Sequence, residues 1–263
     1  MESTAKSSGE DSRCLGLKVT FIGSGGYIVT ADKSCPSILV DGELLLDCGF
    51  GSLKNLRAAN VSLKDLRRLL LTHHHADHVG DLVGLLWAMA MEGRDVPLEI
   101  WGPDGTDRLT MSLLESMNTP PEYTVLKLDF KNLAGGETLD NIKVLRAIHK
   151  PVDLAYRIEK NGRSLCYSGD TAYCEQLISL ASGCSLLIHD AVFLDEQKEI
   201  ALLTNHSTAA DAGRIAEAAG VEKLVLFHIL PFNRVFEAEL LRQAEREFNG
   251  EILMVKDLEV LEI

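Results

Sequence analysis

The sequence predicts a layered α/β fold, on three observations. Strand-like and helix-like stretches alternate along almost the whole chain, and no linker long enough to mark a domain boundary interrupts them. The strands fall into two rich halves, each with flanking helices, as in sheets covered by helices. The 263 residues can bury a sizeable core, and 46% apolar and 25% charged residues with 21 Gly and 7 Pro lie inside the globular range. Disorder and fibrous repeats are thereby excluded for the bulk of the chain, and no solenoid period is present. The polar segment 1–16 is expected to be a disordered lead-in, and residues 17–263 the folded domain.

The elements follow in order. Leu17 to Ile22 is apolar and β-branched and runs into a glycine turn, Gly23 to Gly26. Pro36 to Val40 and Leu44 to Asp47 pair around Asp41-Gly42, a hairpin dipeptide. Lys54 to Ala59 reads as a short helix, and Ser62 to Asp65 as a capping box ahead of a brief helical turn. Leu69 to Leu71 is a buried-type strand. Further strands are expected at Leu98 to Trp101, Val125 to Leu128, Ile142 to Ile148, Ala155 to Glu159, Ser164 to Tyr167, Leu186 to Ile188 and Leu224 to His228, with a final strand region at Ile252 to Ile263. Helices are expected at Val83 to Met91, Gly105 to Met117, Ala172 to Ala181, Ala209 to Ala219 and Glu237 to Phe248. The Ala209 helix is the clearest, with Ser207 or Thr208 to cap it and Gly220 to end it.

Charge and cysteine usage narrow the function. Acidic residues outnumber basic ones by 39 to 26, a net charge of −13, so the overall field repels a phosphate backbone. The longest apolar stretch, Leu82 to Met91, is about half of the ~20 residues a bilayer needs, and no membrane partner is expected. The N-terminus lacks the apolar run of a signal peptide. Six cysteines without a CxxC pair read as reduced thiols, and the expected location is the cytoplasm.

The chemistry lies in Thr72-His73-His74-His75-Ala76-Asp77-His78, which holds half of all the histidines directly after an apolar strand. Imidazole and carboxylate are the donors of zinc and related divalent ions. At a strand end alternate side chains face the same way, so His73 and His75 can meet one ion while His74 points away. The chain then turns, and Asp77 and His78 can face a second ion beside the first. A metal pair about 3.5–4 Å apart delivers a hydroxide nucleophile at neutral pH and holds the leaving oxygen.

His-x-His-x-Asp-His after a strand resembles the signature of the metallo-β-lactamase superfamily, and the surrounding residues resemble its branch of tRNase Z, small phosphodiesterases and arylsulfatase-type hydrolases. Phe21 to Gly26 is similar to that branch's opening strand and glycine turn. Ile38 to Gly49 is similar to its strand pair ending in Asp-x-Gly, where Asp47 would brace the metal loop. Ser168-Gly169-Asp170-Thr171 and Asn205-His206-Ser207-Thr208-Ala209-Ala210 match its Gly-Asp-Thr and His-Ser-Thr-Ala motifs. The resemblance covers nearly everything after residue 16. It implies a four-layer αββα sandwich with the metals at one edge.

The resemblance also assigns the remaining donors. His73, His75 and His149 would hold the first ion, Asp77, His78 and His228 the second, and Asp170 would bridge them. The expected ions are zinc, with manganese or iron also suited to mixed N/O donors. His206 precedes the N-terminus of the Ala209 helix, where free N–H groups favour an anion, so it is expected to meet a substrate phosphate and protonate the leaving oxygen. Asp77 is expected to hold or accept the proton of the bridging hydroxide as that hydroxide attacks phosphorus. His189-Asp190 stands where the branch often has His-Glu, one methylene longer, and would support the site from behind.

On substrate, the sequence favours a hydrolase of small phosphodiesters over RNA. The tRNase Z enzymes carry a protruding arm before the Gly-Asp-Thr segment; Lys160-Asn161-Gly162-Arg163 leaves room only for a hairpin. Ile229 to Arg234 also departs from the more polar stretch of the tRNA enzymes, with Arg234 as a candidate phosphate contact. The alternatives are a tRNase Z-type 3′ endoribonuclease, an arylsulfatase or lactonase-type ester hydrolase, and a non-catalytic metal-binding scaffold. The resemblance further allows a homodimer. Val83 to Met91 and Met111 to Tyr123 are expected to wall the pocket, although Trp87 and Met91, at helical spacing, fit the core better than a substrate contact.

Overall fold

A computed structural model describes residues 16–123 and 125–263, without the side chain of Arg234; of the expected lead-in at 1–16, all but Gly16 lies outside the described residues. Two seven-stranded sheets pack face to face. The first contains β1 Lys18–Gly23, β2 Ser37–Val40, β3 Leu44–Leu46, β4 Arg68–Leu70, β5 Leu98–Pro103, β6 Leu128–Leu133 and β14 Val260–Glu262, in the order β14-β1-β2-β3-β4-β5-β6. The second contains β7 Thr138–Leu139, β8 Ile142–Arg146, β9 Leu154–Lys160, β10 Arg163–Tyr167, β11 Leu186–Asp190, β12 Lys223–Phe227 and β13 Glu251–Leu253, in the order β13-β12-β11-β10-β9-β8-β7.

The period of two along each strand builds three apolar layers. Phe21, Leu46, Leu70 and Trp101 of the first sheet meet Tyr156, Tyr167, Ile188 and Phe227 of the second in the central layer. The intervening residues of the first sheet, Leu45, Leu69 and Ile100, turn outward onto α1 Ser52–Ala58 and α3 Leu82–Met91. Those of the second, Cys166, Leu187, Leu224 and Leu226, turn onto α5 Glu175–Ala181, α7 Ala209–Ala219 and α8 Glu237–Glu245. Three shorter or more peripheral helices complete the set: α2 Ala76–Val79, α4 Thr106–Ser116 and α6 Lys198–Thr204. The fold is the four-layer αββα sandwich. Among the described residues no helix is long and apolar enough to cross a membrane.

Four local expectations differ from the structure. The strand expected at Val125 to Leu128 starts only at Leu128, where the chain comes into parallel register with β5, Leu98↔Leu128 to Pro103↔Leu133. The capping-box segment closes as a turn, with Asp65 N–H donating to Ser62 O at 3.0 Å, and no helix follows. The helix expected from Ala172 starts at Glu175, because the chain first passes the Asp170 loop. The terminal region splits: β13 pairs with β12, and β14 crosses to β1, with Leu258 at φ 67 between them.

The Ala209 helix has the expected ends. Asp211 N–H donates to Thr208 Oγ1 at 3.1 Å, Thr208 N–H donates back to Asp211 Oδ2 at 3.3 Å, and Gly220 closes the helix at φ 63. Thr208→Ala is expected to cost ~1 kcal/mol, read from the urea unfolding midpoint.

The strand directions place the functional loops. β8, β10, β11 and β12 run the same way, since β8 and β10 are both antiparallel to β9, and β10, β11 and β12 are mutually parallel. Their C-terminal ends therefore share one edge of the second sheet. Leu154 N–H donates to Thr72 O at 2.9 Å and Tyr156 Oη–H to Leu71 O at 2.7 Å, tying that edge to the end of β4.

Candidate metal centre

The loop after β4 carries His73 to His75 and feeds α2, which carries Asp77 and His78. His149 follows β8, Asp170 follows β10, and His228 follows β12. The structure brings all seven side chains together. Donor atoms of His73, His75, His149 and Asp170 lie within 4.8 Å of one another, as do those of Asp77, His78, Asp170 and His228. Asp170 belongs to both groups. His73 Nε2 is 3.0 Å from His75 Nδ1 and 3.7 Å from Asp170 Oδ2; His228 Nε2 is 3.2 Å from Asp77 Oδ2 and 3.5 Å from Asp170 Oδ2.

Three of the five histidines are aimed from behind. His73 Nδ1 is 2.7 Å from Asp153 Oδ2, His78 Nδ1 is 2.8 Å from Asp47 Oδ2, and His149 Nδ1–H donates to the Asn205 carbonyl at 3.0 Å. Asp47 in turn accepts from Thr72 N–H at 2.8 Å and Tyr167 Oη–H at 3.0 Å. Such partners fix the tautomer and leave the opposite nitrogen to meet an ion. Asp47 and His228 are non-glycine residues in the left-handed region, at φ 57 and 62. Strained backbone of this kind gathers at functional sites.

The residues fit divalent cations. His78 Nε2 and Asp170 Oδ1 are buried, lack a hydrogen-bond partner, and face each other across 3.5 Å. Unsatisfied buried polar atoms carry a desolvation cost that a shared cation removes. The charges agree. Burial pushes His73 well below its ordinary pKa, toward the neutral imidazole that coordinates metal. Burial also disfavours His78⁺, but Asp170 and Asp47 outweigh it and raise His78 well above its ordinary value. Burial and the Asp170 carboxylate push Asp153 up, a second sign of unmet demand for positive charge.

His206 lies beside both groups. Its ring is 5.0 Å from that of His149 and is stacked at 5.5 Å on His228. Its Nδ1 bonds Asp190 Oδ2 at 2.8 Å, and Asp190 also accepts from Thr171 N–H at 3.0 Å. Burial opposes the imidazolium, yet Asp190 outweighs it and raises the pKa to about 9. One expectation about His206 changes. The start of α7 has few free N–H groups, because Ala209 N–H donates to Phe193 O, and Thr208 and Asp211 cap each other. The positive charge available to an anion is therefore the imidazolium itself.

Of the other residues, His74 turns away and its Nε2 meets Thr106 Oγ1 at 2.9 Å. His189 is buried on the opposite face of β11 from Asp190. Arg234 lies in a short 3-10 turn, Arg234–Phe236, and its side chain is outside the described residues. The segments expected to wall a pocket line a cavity of about 600 Å³, through Leu86, Met111, Leu114 and Tyr123, but no metal-group residue lines it. Trp87 is a brace there, donating to Thr119 Oγ1 at 3.0 Å.

Asp153 is the residue that sequence reasoning missed. It sits outside any motif, and only its place between His149 and an apolar strand distinguishes it. Asp153→Asn is expected to weaken binding of the first ion by ~10–100-fold, measured by competition with a chromophoric chelator, with the unfolding midpoint as a check on folding.

Comparison with known proteins agrees with the fold. Residues 43–229 match the family model "Beta-lactamase superfamily domain". A ribonuclease Z of Mycolicibacterium paratuberculosis is 32% identical, over 94% of this chain and 98% of that protein, and one of Methanosarcina acetivorans is 29% identical over the same shares. Those alignments run over 275 and 301 positions, more than this whole chain, so both relatives carry stretches with no counterpart in it. The crystal structure of the metallo-beta-lactamase fold protein YhfI from Bacillus subtilis superposes with a TM-score of 0.81 at 27% identity, over 94% of this chain and all of that one. Human tRNase Z, short form, gives 0.76 at 23% identity over 93% and 98%. The chain belongs to the beta-lactamase superfamily. It is a metal-dependent hydrolase.

Proposed function

We propose that this chain cleaves phosphodiester bonds of RNA in the manner of ribonuclease Z, using two zinc ions. The observation that carries the phosphodiesterase chemistry is the pair of donor groups sharing Asp170, with the Asp190-held His206 imidazole beside both. The ribonuclease Z relatives, alike over nearly their full length, support RNA as substrate. His73, His75, His149 and Asp170 would hold one ion, and Asp77, His78, His228 and Asp170 the other. Imidazole and carboxylate donors suit zinc, and also manganese or iron. Bound there, the ions supply Lewis-acid chemistry that activates water and offsets charge on the phosphoryl oxygens.

The protein's own groups do the rest. With Nδ1 bound to Asp190, His206 presents Nε2–H to the leaving oxygen and gives up that proton as the ester bond breaks. Burial disfavours an ionised Asp77, but His228 and His78 outweigh it and lower its pKa, so Asp77 is a carboxylate that can hold a proton of the attacking water by accepting its hydrogen bond.

A second reading, hydrolysis of small phosphodiesters, was the one the sequence favoured, and the relatives weigh against it. Two observations still speak for it. β9 and β10 join through the two-residue turn Asn161-Gly162, and the chain carries a net charge of −13. The test is parallel assay of the zinc-loaded protein on a precursor tRNA with a 3′ trailer and on bis(p-nitrophenyl) phosphate. Cleavage of the tRNA at its 3′ side is expected. Turnover of the small ester alone would favour the second reading, and turnover of neither would overturn both.

A further inference from the structure

Five large apolar side chains stand exposed on loops that pack against metal-group residues. Tyr27, Ile28 and Val29 are 48%, 45% and 47% exposed, Phe50 is 42% and Phe232 is 53%. The backbones locate them. Gly26, just before Tyr27, lies on the His228 carbonyl, where a Cβ would come within 3.0 Å of the oxygen. Gly49, just before Phe50, lies on the Asp77 carbonyl, where a Cβ would come within 1.9 Å. The Phe50 ring rests on Gly80 at the end of α2. Phe232 is four residues beyond His228, and Leu230 between them packs on Gly26. The loops that carry these side chains thus pack on the backbone of the Asp77, His78 and His228 side of the centre.

The Tyr27 loop is held rigidly at its base. Asp257 accepts from Ser24 N–H at 2.9 Å and Ser24 Oγ–H at 2.8 Å through one oxygen, and from Ser34 N–H at 2.8 Å and Asn55 Nδ2–H at 2.7 Å through the other. Gly25 N–H donates to Ser34 O at 2.8 Å, and the buried Lys33 ammonium donates to Val255 O at 3.2 Å. A polar network therefore fixes a loop whose tip presents three consecutive apolar residues to water. An exposed apolar run on a fixed base is a candidate recognition surface.

We propose that Tyr27, Phe50 and Phe232, with the apolar tip around Tyr27, form a stacking surface that selects phosphodiesters carrying a nucleobase next to the scissile bond. The proposal rests on the phosphodiesterase reading above. Its occupant follows from continuity with the metal centre: a phosphoryl group there leaves its adjoining nucleoside against the aromatic border. Aromatic faces bind bases by stacking without needing positive charge, which suits a chain of net charge −13.

The test compares two esters with the same leaving group, thymidine 5′-(p-nitrophenyl phosphate) and methyl p-nitrophenyl phosphate, on the zinc-loaded protein. The nucleoside ester is expected to have the lower KM. In Tyr27→Ala and in Phe50→Ala the ratio of the two KM values is expected to move against the nucleoside ester by ~10-fold, the scale of losing one base stack. Calorimetric binding of thymidine 5′-monophosphate against methyl phosphate gives a second readout that needs no turnover, with the same loss expected. If neither ester turns over and precursor tRNA is not cleaved either, the phosphodiesterase reading fails; with tRNA cleaved, the calorimetric comparison decides the stacking surface. If wild type shows no preference for the nucleoside in either measurement, or the variants keep it, the stacking surface is overturned. Sedimentation of the same variants covers the rival occupant: a dimer that dissociates while the nucleoside preference persists would make this surface an interface between copies.

Discussion

Asp170→Asn is expected to reduce bound zinc from about two ions per chain to less than one, and turnover by ~10³-fold or more. Asp170 is the single side chain common to both donor groups, so its loss acts on both at once. Burial alone would favour its neutral form, but His228, His78 and His73 hold its pKa well below the usual carboxylate range. Asparagine keeps the shape and removes the charge. Both ions then lose an anionic donor, and three imidazoles lose the group that balances them. Metal content by mass spectrometry, set beside turnover, checks the expectation. His74→Ala is the comparison, because His74 faces Thr106 and should leave metal content near that of the wild type. Two ions retained by Asp170→Asn would contradict the shared role.

His206→Ala is expected to lower kcat by ~10²–10⁴-fold with metal content retained, the range for losing a positioned general acid. The accompanying pH dependence has a definite sign. His206 is raised to about 9, so its donatable proton is present at neutral pH and lost above that value. Activity should therefore fall on the alkaline side. Asp190→Asn removes the carboxylate that raises the pKa and leaves burial, which lowers it. The alkaline limb should then move to lower pH, whereas a purely structural loss would scale the profile without moving it. Normal kcat in a fully metal-loaded His206→Ala protein would remove this residue from the chemistry.

The residues differ in how far the sequence made them legible, for physical reasons. His73, His75, Asp77 and His78 were readable because one strand end and one turn carry all four donors within six positions. His149, Asp170 and His228 lie far apart in the chain, and their meeting depends on β8, β10 and β12 running the same way, a fact of pairing that no local pattern encodes. Only the motif resemblance pointed to them. Asp153 and the Asn205 carbonyl act across the gap between loops, so their partners appear only in three dimensions. The two interior layers were legible from strand period and apolarity. β6 was not, because its alternating exposed Asp129 and Lys131 hide an edge strand beside the more apolar Val125 to Leu128. The splitting of the C-terminal region between two sheets likewise has no local signal beyond the Lys256-Asp257 break.

The central claim is that seven side chains hold a pair of ions through one common carboxylate. The most direct test is a crystal structure of the zinc-loaded protein with anomalous data collected on both sides of the zinc edge. Two peaks about 3.5–4 Å apart are expected, one among His73, His75 and His149, the other among Asp77, His78 and His228, with Asp170 reaching both. A single peak, or zinc bound away from these side chains, would contradict it.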